Sequence, residues 1–374
     1  VTRSEAPPAS EAGPVVTTQG RLAVIDLMRA VAVSVVVLMH SGLTFLPGDG
    51  GVVLFFVVSG YIITALLIRE RQRTHRFDIV RFYRRRVLKL GPPLLVTVVV
   101  PSLVYATVRP LDLSALAAQI GFTYNWSEVA DPGVTDRILP GSEVVWSLAI
   151  EEQFYIGFAL LWAALLVLGR WRPALLTIAL GVAAASLATR VALLATDPVG
   201  GLPHATRGTD GRVEAIALGV AVAVLLANDR PSPLALRARR LGGHDTTLVC
   251  AVVLFLAASL LFRGGWVEPA FRPTAQALAA AGLIGWALLP GEGVLRSAVS
   301  RIAVSRPAQA VGLGSYSIYL AHYPVVKGVD ALLGAGVPDV VVLLLNVGLG
   351  MAAGLLVYRL VEVPTMGWRD RRRW

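Results

Sequence analysis

Ten stretches of about twenty mostly apolar residues recur along this chain, and no other feature restricts its fold so tightly. They run over 22–42, 52–68, 90–109, 147–168, 173–196, 212–228, 246–263, 274–290, 311–333 and 338–360. A helix rises about 1.5 Å per residue, so about twenty residues cross a hydrocarbon layer, where every backbone polar group must be satisfied within the segment. The expectation is an all-α, polytopic transmembrane bundle of about ten helices. Composition agrees: 55% of the 374 residues are hydrophobic, 16% are charged and the mean hydropathy is +0.67, which excludes an ordinary soluble domain.

The net charge of +10 would suit a nucleic-acid binder, but the arginines sit between the apolar runs, where they fix membrane orientation, and no nucleic acid is expected. Residues 69–89 hold nine Lys and Arg, whereas the longer stretch 110–145 holds one arginine, Arg137, against five acids. Arg170 and Arg172, then Arg230, Arg237, Arg239 and Arg240, then Arg296, Arg301 and Arg306, and the closing "RDRRRW" fall on the same side as 69–89. This predicts a multi-pass protein of the cytoplasmic membrane with both termini cytosolic. Residues 1–20, rich in Pro, Ala and Thr, read as a disordered tail, 21–364 as the membrane unit and 365–374 as a basic cytosolic tail. The single cysteine, Cys250, excludes an internal disulfide, and no metal site is expected.

Ionisable groups inside the apolar runs are costly and need a purpose. The first run carries Asp26, Arg29 and His40. Eleven residues at 100° each bring Arg29 and His40 to within about 20° of one helix face, with His40 about 16 Å further along the axis. Asp26 lies near Arg29 and is expected to pair with it. With a cytosolic N-terminus, Arg29 belongs to the inner half of the membrane and His40 to the outer. The fourth run, "VWSLAIEEQFYIGF", places Glu151 and Glu152 one to two turns below Trp146, at the expected depth of His40, so a carboxylate is expected to orient the imidazole. The ninth, "LGSYSIYLAHYPV", holds His322 among Tyr316, Tyr319 and Tyr323. Arg84, Arg85, Arg86 and Lys89 lead into the third run, as a lipid anchor or as ligands for the phosphates of a cytosolic donor. "TRGTDGRVEAIALG" sets Asp210, Arg212 and Glu214 at the outer start of the sixth run, and Arg190 in the fifth has no assigned role. Taken alone, these polar residues suit a proton-coupled transporter as well as an enzyme.

The blocks "LMRAVAVSVVVLMH", "VVLFFVVSGYII", "RFYRRRVLKLGPP", "VWSLAIEEQFY", "TDGRVEAIALG", "GSYSIYLAHYPV" and "VEVP" resemble, in order, those of the acyltransferase-3 family of membrane proteins, from about Arg21 to Pro364. The resemblance implies about ten transmembrane helices and transfer of an acyl group, commonly acetyl from acetyl-CoA, to a hydroxyl of a carbohydrate or glycosylated small molecule. It assigns His40, Glu151 and Arg29 to catalysis, with His40 as base or acyl acceptor and Glu151 as its orienter. Arg85, Arg86, Lys89 and Ser59 fall to the acyl-CoA donor, the family's usual second arginine being Lys89 here. Glu152, Asp210, Arg212, His322 and Tyr319 fall to the acceptor, with Glu214 where the family has a second Asp. Some members carry a C-terminal SGNH hydrolase-like domain. This sequence stops at Trp374, ten residues after Pro364, so the expectation is a bundle without that domain, which acylates unaided or with a separate partner. The resemblance favours the enzyme over the transporter.

Overall fold

The computed structural model describes residues 22–74, 77–167, 171–227, 233–261, 264–291, 293–333 and 336–371. The predicted tail 1–20, Arg170, Arg230, the Arg239 side chain and residues 372–374 lie outside the described residues. Every regular element described is helical.

Each apolar run holds one principal helix. These are α1 (Ala23–His40), α2 (Gly48–Thr74), α3 (Ile79–Tyr105), α4 (Val145–Val167), α5 (Trp171–Thr196), α6 (Glu214–Leu226), α7 (Asp245–Leu261), α8 (Val267–Leu288), α9 (Ser315–Leu332) and α10 (Asp339–Arg371). By length and composition six of them are long and apolar enough to cross a membrane: α1, α2, α3, α4 (with its leading turn from Ser142), α5 and α10. The apolar helices α6 and α7 are shorter, at 13 and 17 residues. α6 is short because Arg212 belongs to a separate turn, Thr209–Arg212, before it. The run expected over 311–333 is broken at Gly314, where Arg306–Leu313, capped by the Ser305 hydroxyl, ends and α9 begins.

The third run starts earlier than its hydropathy indicates. Asp78 accepts from the Arg81 N–H at 2.9 Å and caps α3, so the basic stretch is itself helical. Pro92 and Pro93 remove two donors, and a π turn over Leu95–Val99 follows them, steadied by the Thr97 hydroxyl on the Pro93 carbonyl at 2.7 Å.

At the centre, α2 packs against α1, α6 and α8 through Val33, Val37, Phe56, Val57, Ile216 and Ala277. The crossing of α2 with α6 is set by two glycines. Gly60 lies against the Ile216 carbonyl and Gly219 against the Val57 carbonyl, so a Cβ at either would overlap backbone. α9 packs on α10, whose buried Glu362 accepts from the Ser317 hydroxyl at 2.7 Å.

The end of the bundle away from the basic stretch is capped by short helices Leu113–Ile120, Tyr124–Ala130 and Leu202–Arg207. A polar network joins cap to bundle: Gln153 donates to the Phe122 carbonyl and to Asn125 at 2.7 and 2.8 Å, and Thr209 donates to Gln153 at 2.5 Å. Gly141, at φ +88°, turns the chain where it meets the Tyr323 backbone and enters α4.

Candidate active site

A cavity of about 920 Å³ opens at the basic end of the bundle. Eight basic side chains line it, Arg29, Arg69, Arg73, Arg81, Arg85, Arg86, Lys89 and Arg369, against three acids, Glu70, Glu151 and Asp370. A lining of that sign attracts a polyanion. Ser59 contributes from α2, and the inner wall is made by Phe55, Ser147 and Tyr319. The structure thus brings Arg29, Ser59, Arg85, Arg86, Lys89, Glu151 and Tyr319 to one chamber.

Arg86 is held differently from expectation. Its Nε donates to Glu152 Oε1 at 2.5 Å, an Nη lies 3.9 Å from Glu151, and the guanidinium stacks on the Tyr155 ring at 3.5 Å. The Tyr155 hydroxyl is in turn hydrogen-bonded to that of Ser59. Two carboxylates inside an apolar bundle require a cation, and the charge-assisted bond to Arg86 satisfies them more strongly than a neutral imidazole would. Glu152, expected with the acceptor, is bound to Arg86. Arg29 lines the cavity together with Glu151, and Asp26 is buried at the start of α1.

His40 lies beyond the inner wall and is not among the cavity's lining residues. Its Nδ1 is 2.9 Å from Nε2 of His322, so its hydrogen-bond partner is His322 where Glu151 was expected. Helix α1 packs on α9, which sets the two rings together, while Glu151 is drawn to Arg86. The tautomers follow from the bonds. His322 Nδ1 faces the carbonyls of Tyr319 and Ile318, at 2.7 and 3.1 Å, and a carbonyl only accepts, so this nitrogen carries the hydrogen. Nε2 of His322 is then an acceptor, and His40 Nδ1 must donate to it. The remaining nitrogen, His40 Nε2, is left with a free lone pair. Tyr323 stacks on the His40 ring with centroids 4.0 Å apart and fixes its plane.

Tyr319 divides the chamber from the histidine pair. Its ring lines the cavity, its hydroxyl meets Ser147 at 2.7 Å and the Val144 carbonyl at 3.1 Å, and its carbonyl receives the His322 hydrogen.

From the capped end the charges of Asp49, Lys327 and Arg207 act on His40. Arg207 pairs with Glu128 at 2.8 Å and lies 4.3 Å above the Trp146 ring. Burial pushes the Glu128 carboxyl up to about 7 against the opposing pull of Arg207. Arg212 is buried against the same indole, 5.7 Å from its centroid. Asp210 is half exposed and accepts from His204 at 2.9 Å. Arg190, fully buried, donates to Glu214 at 2.6 Å, Thr274 at 2.7 Å and the carbonyls of Gly211 and Ala270 at 2.5 and 3.0 Å. It staples α5, α6 and α8 together, and the longer Glu arm at 214 serves that staple. Residues that motif reasoning left out are Arg207 and Glu128, which lie in the weakly patterned cap, and Gln153, visible only as the third letter of "EEQF".

Comparison with known proteins places the whole region. A family model described as an acyltransferase domain matches residues 22–359. The peptidoglycan O-acetyltransferase OatA of Listeria monocytogenes is 30% identical over 361 residues, 91% of this chain and 55% of its own length. The O-acetyltransferase OatA of Staphylococcus aureus (strain NCTC 8325) is 28% identical over 356 residues, covering 91% and 56%. A putative O-acetyltransferase of S. aureus strain MRSA252 is 27% identical over 389 residues, covering 92% and 58%. The chain thus spans a little more than half the length of these relatives. No solved structure matches.

Proposed function

The chain belongs to this acyltransferase family, and on that premise we propose that it is a multi-pass O-acetyltransferase of the cytoplasmic membrane, moving acetyl from acyl-CoA to a hydroxyl of a cell-wall glycan such as peptidoglycan. The observation that carries the reading is the His40–His322 pair, which presents an unprotonated Nε2 held by a hydrogen-bonded, stacked ring. Such a nitrogen is a general base of the kind that removes a hydroxyl proton as the oxygen attacks an acyl carbon.

In this reaction the donor enters from the cytosol, its phosphates held by Arg85, Lys89 and the neighbouring arginines of the chamber. Arg86, neutralised by Glu152 and Glu151, acts as the pillar that fixes the chamber floor. Arg29, about 16 Å from His40 along α1, holds donor phosphate at the inner end of the chamber. The acceptor approaches from the capped face. His40 Nε2 takes its hydroxyl proton, the oxygen attacks the thioester carbonyl, the C–S bond breaks, and the imidazolium returns the proton to the departing thiolate. His322 orients the ring and shares the charge that develops on it.

A purified, reconstituted protein given acetyl-CoA and glycan should release CoA thiol and form an acetyl ester, and His40→Ala should lose both by at least about a thousandfold while still folding. Wild-type turnover in that variant would sink the assignment. The same assay separates this reading from a proton-coupled exporter, which has no reason to consume the donor. Family membership and the basic chamber favour the enzyme.

A further inference from the structure

Among the described residues, the capped end holds a buried cation, Arg212, with no carboxylate paired to it. Three others there have a carboxyl partner in place: Arg190 has Glu214 at 2.6 Å, Arg207 has Glu128 at 2.8 Å, and Arg272 has Glu268 at 2.5 Å and Asp49 at 3.3 Å. Lys327 faces Glu143 and Asp330. Arg212 is only 6% exposed, yet among the described residues its guanidinium has no ion pair and its Nε no hydrogen-bond partner. The charged groups that act on it are Asp49, Arg190, Arg207 and Glu214, two of them cations and the two carboxylates already engaged by Arg272 and Arg190.

An uncompensated buried cation is strongly unfavourable, so a position that keeps one is completed by something from outside the chain. The geometry favours a flat, bidentate anion. The Arg212 guanidinium lies 5.7 Å from the Trp146 ring centroid, and its planar fork of N–H donors matches a carboxylate or phosphate in geometry. The charges of Asp49 and Arg207 act on both Arg212 and His40, so both residues belong to the capped end of the bundle.

We propose that the acceptor is an anionic glycan, whose carboxylate or phosphate is received by Arg212 while a hydroxyl of the same molecule lies at His40 Nε2. The proposal rests on the acyltransferase reading for its hydroxyl, but the anion site can be tested without turnover. It makes Arg212 a specificity-determining residue and predicts poor use of neutral sugars.

The test measures binding and transfer side by side on the full chain in nanodiscs. Three probes are compared: a muramyl disaccharide with its lactyl carboxylate free, the same disaccharide with that carboxylate methylamidated, and a phosphorylated N-acetylglucosamine oligomer. The wild type should bind the free acid at least about tenfold more tightly than the amide, as expected for a charged hydrogen-bonded contact. That preference should disappear in Arg212→Gln and return in part in Arg212→Lys. Because the preference is a ratio within one preparation, partial loss of folded protein cancels, and the wild-type comparison stands even if a variant fails to fold. Tighter binding of the phosphorylated oligomer than of the free acid would assign the anion to phosphate, and the reverse order to carboxylate. Equal binding of acid, amide and phosphorylated probes by the wild type would overturn the anion site, whatever the transfer assay reads. Charge-dependent binding with no thiol release would leave Arg212's role standing and remove the acetyltransferase reading.

Discussion

A histidine's chemistry depends on which of its two nitrogens is free, and here a backbone carbonyl decides it. The Tyr319 carbonyl fixes the His322 hydrogen at Nδ1, and that choice propagates through the 2.9 Å contact to leave His40 Nε2 bare. His322→Ala should lower kcat by about a hundredfold or more with KM for acetyl-CoA little changed, because the base loses its orientation while the donor chamber is untouched. His322→Asn, whose amide oxygen can accept from His40, should restore part of the loss. Stopped-flow or steady-state thiol release measures both. A second prediction concerns Glu128. Its carboxyl is raised from an ordinary 4.5 to about 7 by burial, so between those values the folded protein holds a proton that the unfolded chain has lost. Stability is therefore full at low pH and declines as pH rises towards about 7, then levels off. Melting temperature in detergent should follow that slope, and Glu128→Gln should flatten it.

Among elements, the crossing of α2 and α6 is the tightest joint. Gly60 and Gly219 each sit on a carbonyl of the other helix, so Gly219→Val must push the helices apart, at a cost of about 3 kcal/mol or more. A melting temperature equal to the wild type would show that the crossing is softer than this geometry. Helix positions were the most legible part of the sequence, because each apolar run holds a principal helix, although 311–333 breaks at Gly314 and six are long and apolar enough to cross a membrane. Their lengths were less so. Residues 79–89 are polar enough to look like a loop, yet the Asp78 cap makes them helix, and α6 starts only at Glu214 because Arg212 belongs to the turn before it. The site divided along the same line. The Arg29–His40 stripe could be read from helical periodicity alone, since both positions lie on one element. Glu151's partner could not, because choosing between His40 and Arg86 requires knowing how far α3 reaches beside α4. Nor could His322, whose role depends on the packing of α1 on α9.

For the molecule as a whole, orientation follows from charge. The basic ends of the helices and the acid-rich cap stand on opposite sides of the bundle, so the termini are expected in the cytosol and the cap outside. In a Cys250→Ser background, Asp136→Cys should react with a membrane-impermeant maleimide on intact cells, and Gln72→Cys only after lysis. The opposite pattern would invert the proposed direction of transfer. Direction matters because of Tyr319, which closes the chamber from the histidine pair with a hydroxyl held by Ser147 and Val144. Activated thioesters are made where metabolism runs, and the outer surface of a cell has no supply of them. A partition one aromatic ring thick lets a two-carbon group be spent on one side while its carrier stays on the other. In the proposed reaction, what crosses the membrane is neither solute nor ion but the reactivity of a single bond.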